Sequence, residues 1–190
     1  FGLSAIKNVG SNIVSEIIAE RKRNGLFKNI EDFLQRICHH DLNKKSLESL
    51  IQSGVFDSFN EREELISNLE SLIIYNQEVK KIIASPQIKL FAKNISYPRL
   101  ILKKTDPMPL EQKLKFEKEL LGIYISDHPV RPYEEKFRKM NLKPIGDISE
   151  KLVNKKVRIG GVITDIKKIL THTGRSMLAV TIEDTTGNIE

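Results

Sequence analysis

The spacing of apolar residues changes once along these 190 residues, and that change limits what the chain can fold into. Up to Leu121 apolar positions recur three and four residues apart, the repeat of a helix with one buried face. From Lys155 the pattern suits strand instead. Val157, Ile159, Val162 and Ile166 form a first run and Met177 to Ile182 a second, with turn residues between them. The chain therefore reads as mainly α, followed by a short antiparallel β portion.

Leu3-Ser4-Ala5-Ile6 reads as the end of a short helix and Lys7-Asn8-Val9-Gly10 as a break. Ser11 is the expected N-cap of a helix that carries Ile13, Val14, Ile17 and Ile18 at helical spacing, runs to about Asn24 and stops at Gly25. Helix, tight glycine turn, helix is the layout of a helix-hairpin-helix. Such a turn can bind phosphate. Backbone near Gly10 can approach a ligand closely, and amides around Gly10, Ser11 and Asn12 carry the positive end of a helix dipole. Lys7 adds a mobile charge. Contacts of this kind ignore base identity and are salt-sensitive. Asn8 occupies a position where the motif usually has glycine, and Val14 one where it often has alanine. Asn tolerates left-handed backbone, so the turn survives the first change. An ordinary connection between two core helices would carry a similar pattern.

A second unit follows. Its helix is expected from Ile30 to Cys38, with Phe33, Leu34 and Ile37 buried. Asn43 caps a further helix from Lys44 to Ser53, stopped by Gly54. This turn has no glycine and offers Lys44, Lys45 and the cap, so it reads as a degenerate second hairpin packed on the first. Cys38, His39, His40 and Asp41 invite a metal reading. It is rejected because neighbours in sequence are not expected to turn toward one ion, and no second ligand cluster exists. The histidines are expected in a surface turn that faces DNA.

Asn60 is the expected cap of one long helix over 60–83 with acidic residues in its first turn. It leads to Ser85-Pro86-Gln87-Ile88-Lys89-Leu90-Phe91, where Pro86 opposes helix. From Lys80 to Lys104 there are seven basic residues and no acidic one. Such a stretch suits a polyanion, the acidic rim of a partner, or a solvated linker. Breakers at Pro98, Pro107 and Pro109 extend the loop to about Leu110, and a helix follows from Glu111 to Leu121. Short helices are expected near 132–139 and 147–152. No apolar run could span a bilayer, no signal peptide opens the chain, and one cysteine excludes an internal disulfide. Phe1 is not an initiator Met, so a piece of a longer chain is expected.

Two long runs resemble the alpha subunits of bacterial DNA polymerase III. One is Phe1 to Gly10. The other is Asn43 to Asp57, which ends in Gly54-Val55-Phe56-Asp57. The resemblance continues through Leu121-Gly122-Ile123-Tyr124-Ile125-Ser126-Asp127-His128-Pro129-Val130 and the turn Glu183-Asp184-Thr185-Thr186-Gly187. It implies a tandem helix-hairpin-helix module over 1–59 that holds duplex DNA through Lys7, Asn8, Val9, Gly10, Ser11, Asn12, Lys44 and Lys45. It implies a long helix and basic loop over 60–110 whose Gln87, Leu90 and Phe91 bind the sliding clamp, with Leu90 and Phe91 in apolar pockets and Gln87 setting register. A helical linker over 111–154 and a truncated antiparallel OB-fold over 155–190 complete it. Single-stranded template and other replicase subunits are further implied partners, without a membrane, in a bacterial cytoplasm. Single-strand binding meets an obstacle: no Phe, Tyr or Trp occurs from Lys155 onward to stack bases. No paired acidic motif suits two-metal polymerase chemistry, so no catalytic residue, metal or cofactor is expected here. Mg2+ and the palm would lie upstream. A repair enzyme or ligase fragment, or a free-standing DNA-binding adaptor, are the alternatives.

Overall fold

The computed structural model describes residues 2–85, 97–172 and 174–190. The chain divides into two units, Phe1–Tyr124 and Ile125–Glu190. The first is helical and the second carries a three-stranded antiparallel sheet. This is the mainly-α chain with a small terminal β portion that the apolar spacing predicts.

In the first unit a 3-10 turn over Leu3–Ala5 precedes α1 (Ser11–Asn24), α2 (Ile30–Arg36) and α3 (Lys44–Gln52). Ile13, Val14 and Ile17 of α1, Phe33 and Leu34 of α2, and Leu47, Leu50 and Ile51 of α3 meet in one core. Their helical spacing gives each helix one apolar face to bury. Asn43 caps α3 as expected. Its Oδ1 accepts from Ser46 N at 3.0 Å, while Ser46 Oγ accepts from Asn43 N at 3.0 Å. Helix α2 ends at Arg36, before the expected Cys38. Ile37 leaves helical backbone, and the buried amide of Asn76 donates to the carbonyls of Leu34 and Ile37 instead.

The long helix expected over 60–83 is two helices, α4 (Arg62–Ser67) and α5 (Leu69–Ala84), and the first N-cap is Glu61 rather than Asn60. The break is at Asn68. Its side-chain amide donates to the carbonyls of Glu64 (2.7 Å) and Lys103 (2.8 Å), and its Oδ1 accepts from Lys103 N (3.0 Å). An asparagine side chain that satisfies backbone groups in this way competes with continued helix. The same contacts pin the returning segment. Glu31 accepts from Leu100 N, Glu61 accepts from Met108 N, and Tyr97, Leu100 and Leu102 pack against the core.

Helix α6 (Leu110–Leu121) supplies the buried carboxylate of Glu117. Arg62 Nη2 lies 2.8 Å from it and 2.7 Å from Asp57 Oδ2, and Arg62 Nη1 donates to Gln52 O. This accounts for Gly54-Val55-Phe56-Asp57. Gly54 has φ of 84°, a region that disfavours other residues, and a Cβ there would run into the Arg62 guanidinium. Phe56 packs edge-on to Phe33, with ring centroids 4.8 Å apart. Asp57 holds the guanidinium through both carboxylate oxygens.

In the second unit a 3-10 turn at Arg131–Tyr133 leads into α7 (Glu134–Lys139). Strands β1 (Val162–Leu170), β2 (Ser176–Glu183) and β3 (Asn188–Ile189) pair in that order, with an irregularity between Ile163 and Asp165. The sheet is consistent with a truncated OB-like fold. Val157 and Ile159 are not strand, contrary to their alternation. Arg158 O accepts from Lys143 N, and Gly160 lies against Phe137 and Leu142, so this stretch is held by the preceding elements rather than by a strand. The Asp184-Thr185-Thr186-Gly187 turn is a hydrogen-bonded knot. Asp184 Oδ1 accepts from the amides of Thr186 and Gly187, and Oδ2 accepts from Ile145 N at 2.8 Å.

The Leu121–Val130 run is also accounted for piecewise. Gly122 ends α6 in left-handed backbone, and the Lys118 ammonium lies 4.8 Å from the centre of the Tyr124 ring. In the second unit Asp127 accepts from His128 N, and His128 Nδ1 accepts from Val130 N. His128 thus orders a turn, as a constrained loop residue would.

Removing the guanidinium while Glu117 stays buried should be costly. Arg62→Met is expected to lose about 3–5 kcal/mol in denaturant unfolding. Asp57→Asn, at the partly exposed end of the same cluster, should lose less. Equal losses would place the energy elsewhere.

Candidate nucleic-acid interface

The first hairpin turn rests on Ile6 and Val9, both buried in the core. Between them Lys7 and Asn8 are exposed, and Asn8 takes left-handed backbone with φ of 66°. The turn therefore forms with asparagine in place of glycine. Gly10, not Ser11, is the N-cap of α1. It is extended (φ −71°, ψ 154°) and supplies no side-chain cap. Ser11 is the first helical residue. The change matters, because among the described residues no side chain caps this end of the helix.

The backbone amides sort into two sets. Lys7 N donates to Leu120 O at 3.0 Å and Val9 N to Ile6 O at 3.3 Å, so both serve the fold. The amides of Asn8, Gly10, Ser11 and Asn12 have no hydrogen-bond partner among the described residues. All four residues are exposed. Apart from its chain neighbours, a Cβ on Gly10 would meet no atom of the described residues within 4 Å. Neither backbone angle nor crowding inside the protein demands glycine there. The open space leaves room for an outside group to approach the amides closely. Four donors at the positive end of a 14-residue helix suit an oxyanion.

The second hairpin lies against the first. Asn8 Nδ2 donates to Ser49 Oγ at 3.2 Å, and Asn12 Nδ2 donates to Asp41 Oδ2 at 3.1 Å. These side chains thus join the two turns, and Asn8 and Asn12 are left to offer a ligand their backbone. The sequence reading missed both links. They join residues 41 and 29 positions apart, and no local pattern announces such a pairing. Lys45 is exposed beside the cap of α3, whereas the Lys44 ammonium lies 3.1 Å from a Glu70 carboxylate oxygen. Of the two lysines, Lys45 has the less compromised charge.

His39, His40 and Asp41 do converge, with ligand atoms all within 4.8 Å of one another. The expectation that neighbours would not turn together is not upheld. The observed interactions are nevertheless internal ones. His39 Nδ1 accepts from Asp41 N, His40 Nε2 lies 3.2 Å from Asp41 Oδ1, and Asp41 Oδ2 is engaged by Asn12. The two rings stack, with centroids 4.3 Å apart and an interplanar angle of 29°. Cys38 lies outside this group, and burial pushes its thiol up. Gln87, Leu90 and Phe91 fall outside the described residues.

A family model described as "Helix-hairpin-helix motif" matches residues 1–65. Among curated proteins the chain is 35% identical over 193 residues to DNA polymerase III subunit alpha of Thermus aquaticus, covering 100% of this chain and 16% of that protein. It is 35% identical over 207 residues to the subunit of the same name from Borreliella burgdorferi, covering 17% of it. With the one from Bacillus subtilis it shares 31% over 191 residues, again 17% of that protein. The match runs the full length of this chain in all three cases, so the chain spans about a sixth of these relatives.

Gly10→Ala separates fold from ligand. Its stability should fall by less than about 1 kcal/mol in denaturant unfolding, the usual difference between N-cap residues. Its affinity for duplex DNA should drop severalfold in an anisotropy titration. A large loss of stability would show that the glycine serves the fold.

Proposed function

This chain belongs to the DNA polymerase III alpha-subunit family, and from that premise we propose that it is a non-catalytic part of a bacterial replicative polymerase that holds duplex DNA during processive synthesis. The observation that carries the proposal is the set of amides at Asn8, Gly10, Ser11 and Asn12 without a partner among the described residues, next in sequence to exposed Lys7, with exposed Lys45 on the second hairpin that Asn8 and Asn12 hydrogen-bond. A phosphate oxygen accepts from such amides whatever the base sequence. Lysines nearby displace counterions and lend the contact its salt dependence. A polymerase that moves along its template needs a grip of this kind, firm on the backbone and indifferent to the bases.

The second part of the proposal concerns Gln87, Leu90 and Phe91 as a binding segment for the sliding clamp. Its support is the order of residue types and their place in the chain, after the hairpin pair. Tethering to a ring on the same DNA raises the effective concentration of clamp near the enzyme, which offsets a modest affinity of the segment itself. Single-stranded template and other replicase subunits are the remaining proposed partners, in a cytoplasmic setting. None of the described helices is long and apolar enough to cross a membrane.

Two measurements test this. Lys7→Gln and Lys45→Gln should each weaken duplex binding to the same degree on unrelated sequences and lower the log–log salt slope by about 1. An effect confined to one sequence would rule out phosphate contact. Replacing Leu90 and Phe91 with alanine should abolish clamp binding in a calorimetric titration and leave duplex binding intact. Unchanged clamp affinity would refute that half.

A further inference from the structure

A second surface runs along α1 from Ile17 toward its C-terminal end, apart from the hairpin amides. A cavity of about 270 Å³ opens there, floored by Phe33 and Phe56 and walled by Leu3, Leu26, Phe27 and Phe59. That volume lies below the range of small-molecule sites and suits one bulky side chain. Leu26 forms its rim and is 72% exposed, although a leucine in the turn after a helix could have been folded inward. Beyond Leu26 lies a shallower basin edged by Ile18 and Lys22, and Ile18 is exposed as well.

Arg21 borders both basins. Its neighbours in the fold are paired: Arg23 with Glu20, and Arg36 with Glu20 and Asp32. Arg21 and Lys22 have no carboxylate partner among the described residues. Cations in the last turn complement the helix dipole, which accounts for their presence in α1. It does not account for an unpaired guanidinium set at the mouth of an aromatic cavity with apolar surface on both sides. Apolar anchor pockets bordered by arginine are the usual makings of an interaction hot spot, since a carboxylate bound there gains charge-assisted hydrogen bonds.

We propose that this groove docks an acidic peptide segment of a partner protein, which places one aromatic or branched side chain in the cavity and a neighbouring carboxylate on Arg21. The charge selects the occupant. A basic segment would be repelled by Arg21 and Lys22, and a nucleic acid strand would leave the apolar walls unused. Arg21 lies ten residues along α1 from Ser11, so the proposed carboxylate site is about 15 Å along the helix axis from the first helical amide. Both surfaces can be occupied together.

The test uses the whole chain and a fluorescein-labelled peptide of three aspartates and two glycines ending in phenylalanine. Saturable anisotropy binding is expected, weakened at least about tenfold by Arg21→Glu and severalfold by Leu26→Ala. Both side chains are exposed, and denaturant unfolding of each variant should match the parent, which separates lost binding from lost fold. A saturating DNA duplex should not displace the peptide. No binding would overturn the proposal, as would equal binding of a peptide with asparagine for aspartate, or displacement by duplex. Self-association of the chain that is abolished by Arg21→Glu, seen in sedimentation without peptide, would also overturn it and make the groove an interface between copies.

Discussion

The guanidinium of Arg62 is the point on which the first unit depends. It is buried together with the carboxylate of Glu117 and reaches the half-exposed carboxylate of Asp57. Through these contacts one side chain joins the turn after α3, the start of α4 and the middle of α6. A buried pair of this kind adds little net stability over an apolar substitute, because both charges must be stripped of water. What it supplies here is position. A guanidinium satisfied in one geometry fixes where α6 lies, and Leu120 near the end of α6 accepts the amide of Lys7. The cluster thus reaches the hairpin turn through a single helix.

The second unit solves a similar problem with a smaller device. Asp184 accepts amides from its own turn and from Ile145, and these hydrogen bonds hold its carboxyl below the usual carboxylate range against the opposing effect of burial. Thr186 adds a hydroxyl that accepts from Gly146 N. A turn between strands and a 3-10 turn nearly forty residues earlier become one knot. The sequence Asp-x-Thr-Gly needs its aspartate for the two-way acceptance and its threonine for the second bond.

The helices of the first unit were legible because apolar spacing, Asn43 and Gly25 mark their faces and ends locally. The hairpin was legible for the same reason, down to the tolerance of Asn8 for left-handed backbone. Most of what could not be read has one cause, contact between distant residues. Asn68 looks like one more polar position in a helix until Lys103 is brought beside it. Val157 and Ile159 alternate like a strand, yet Lys143 and Phe137 claim that backbone first. Ser11 is a better cap by residue type than Gly10, but the turn sets the helix one residue earlier. The ground for rejecting the His39 cluster as a metal site, that sequence neighbours do not turn together, is not respected by the fold, and Asn12, from another helix, hydrogen-bonds Asp41.

The clasp formed by Asn68, Glu31 and Glu61 on residues 97–109 has a mechanical side. Helix α5 ends at Ala84 on the same body to which Tyr97, Leu100 and Lys103 are fastened. The stretch between them is therefore attached at both stems, like the bight of a rope rather than its free end. A load applied there is shared between helix α5 at one stem and the side-chain hydrogen bonds of Asn68, Glu31 and Glu61 at the other. Detaching it requires both to fail, whereas a tail of equal length would peel from one.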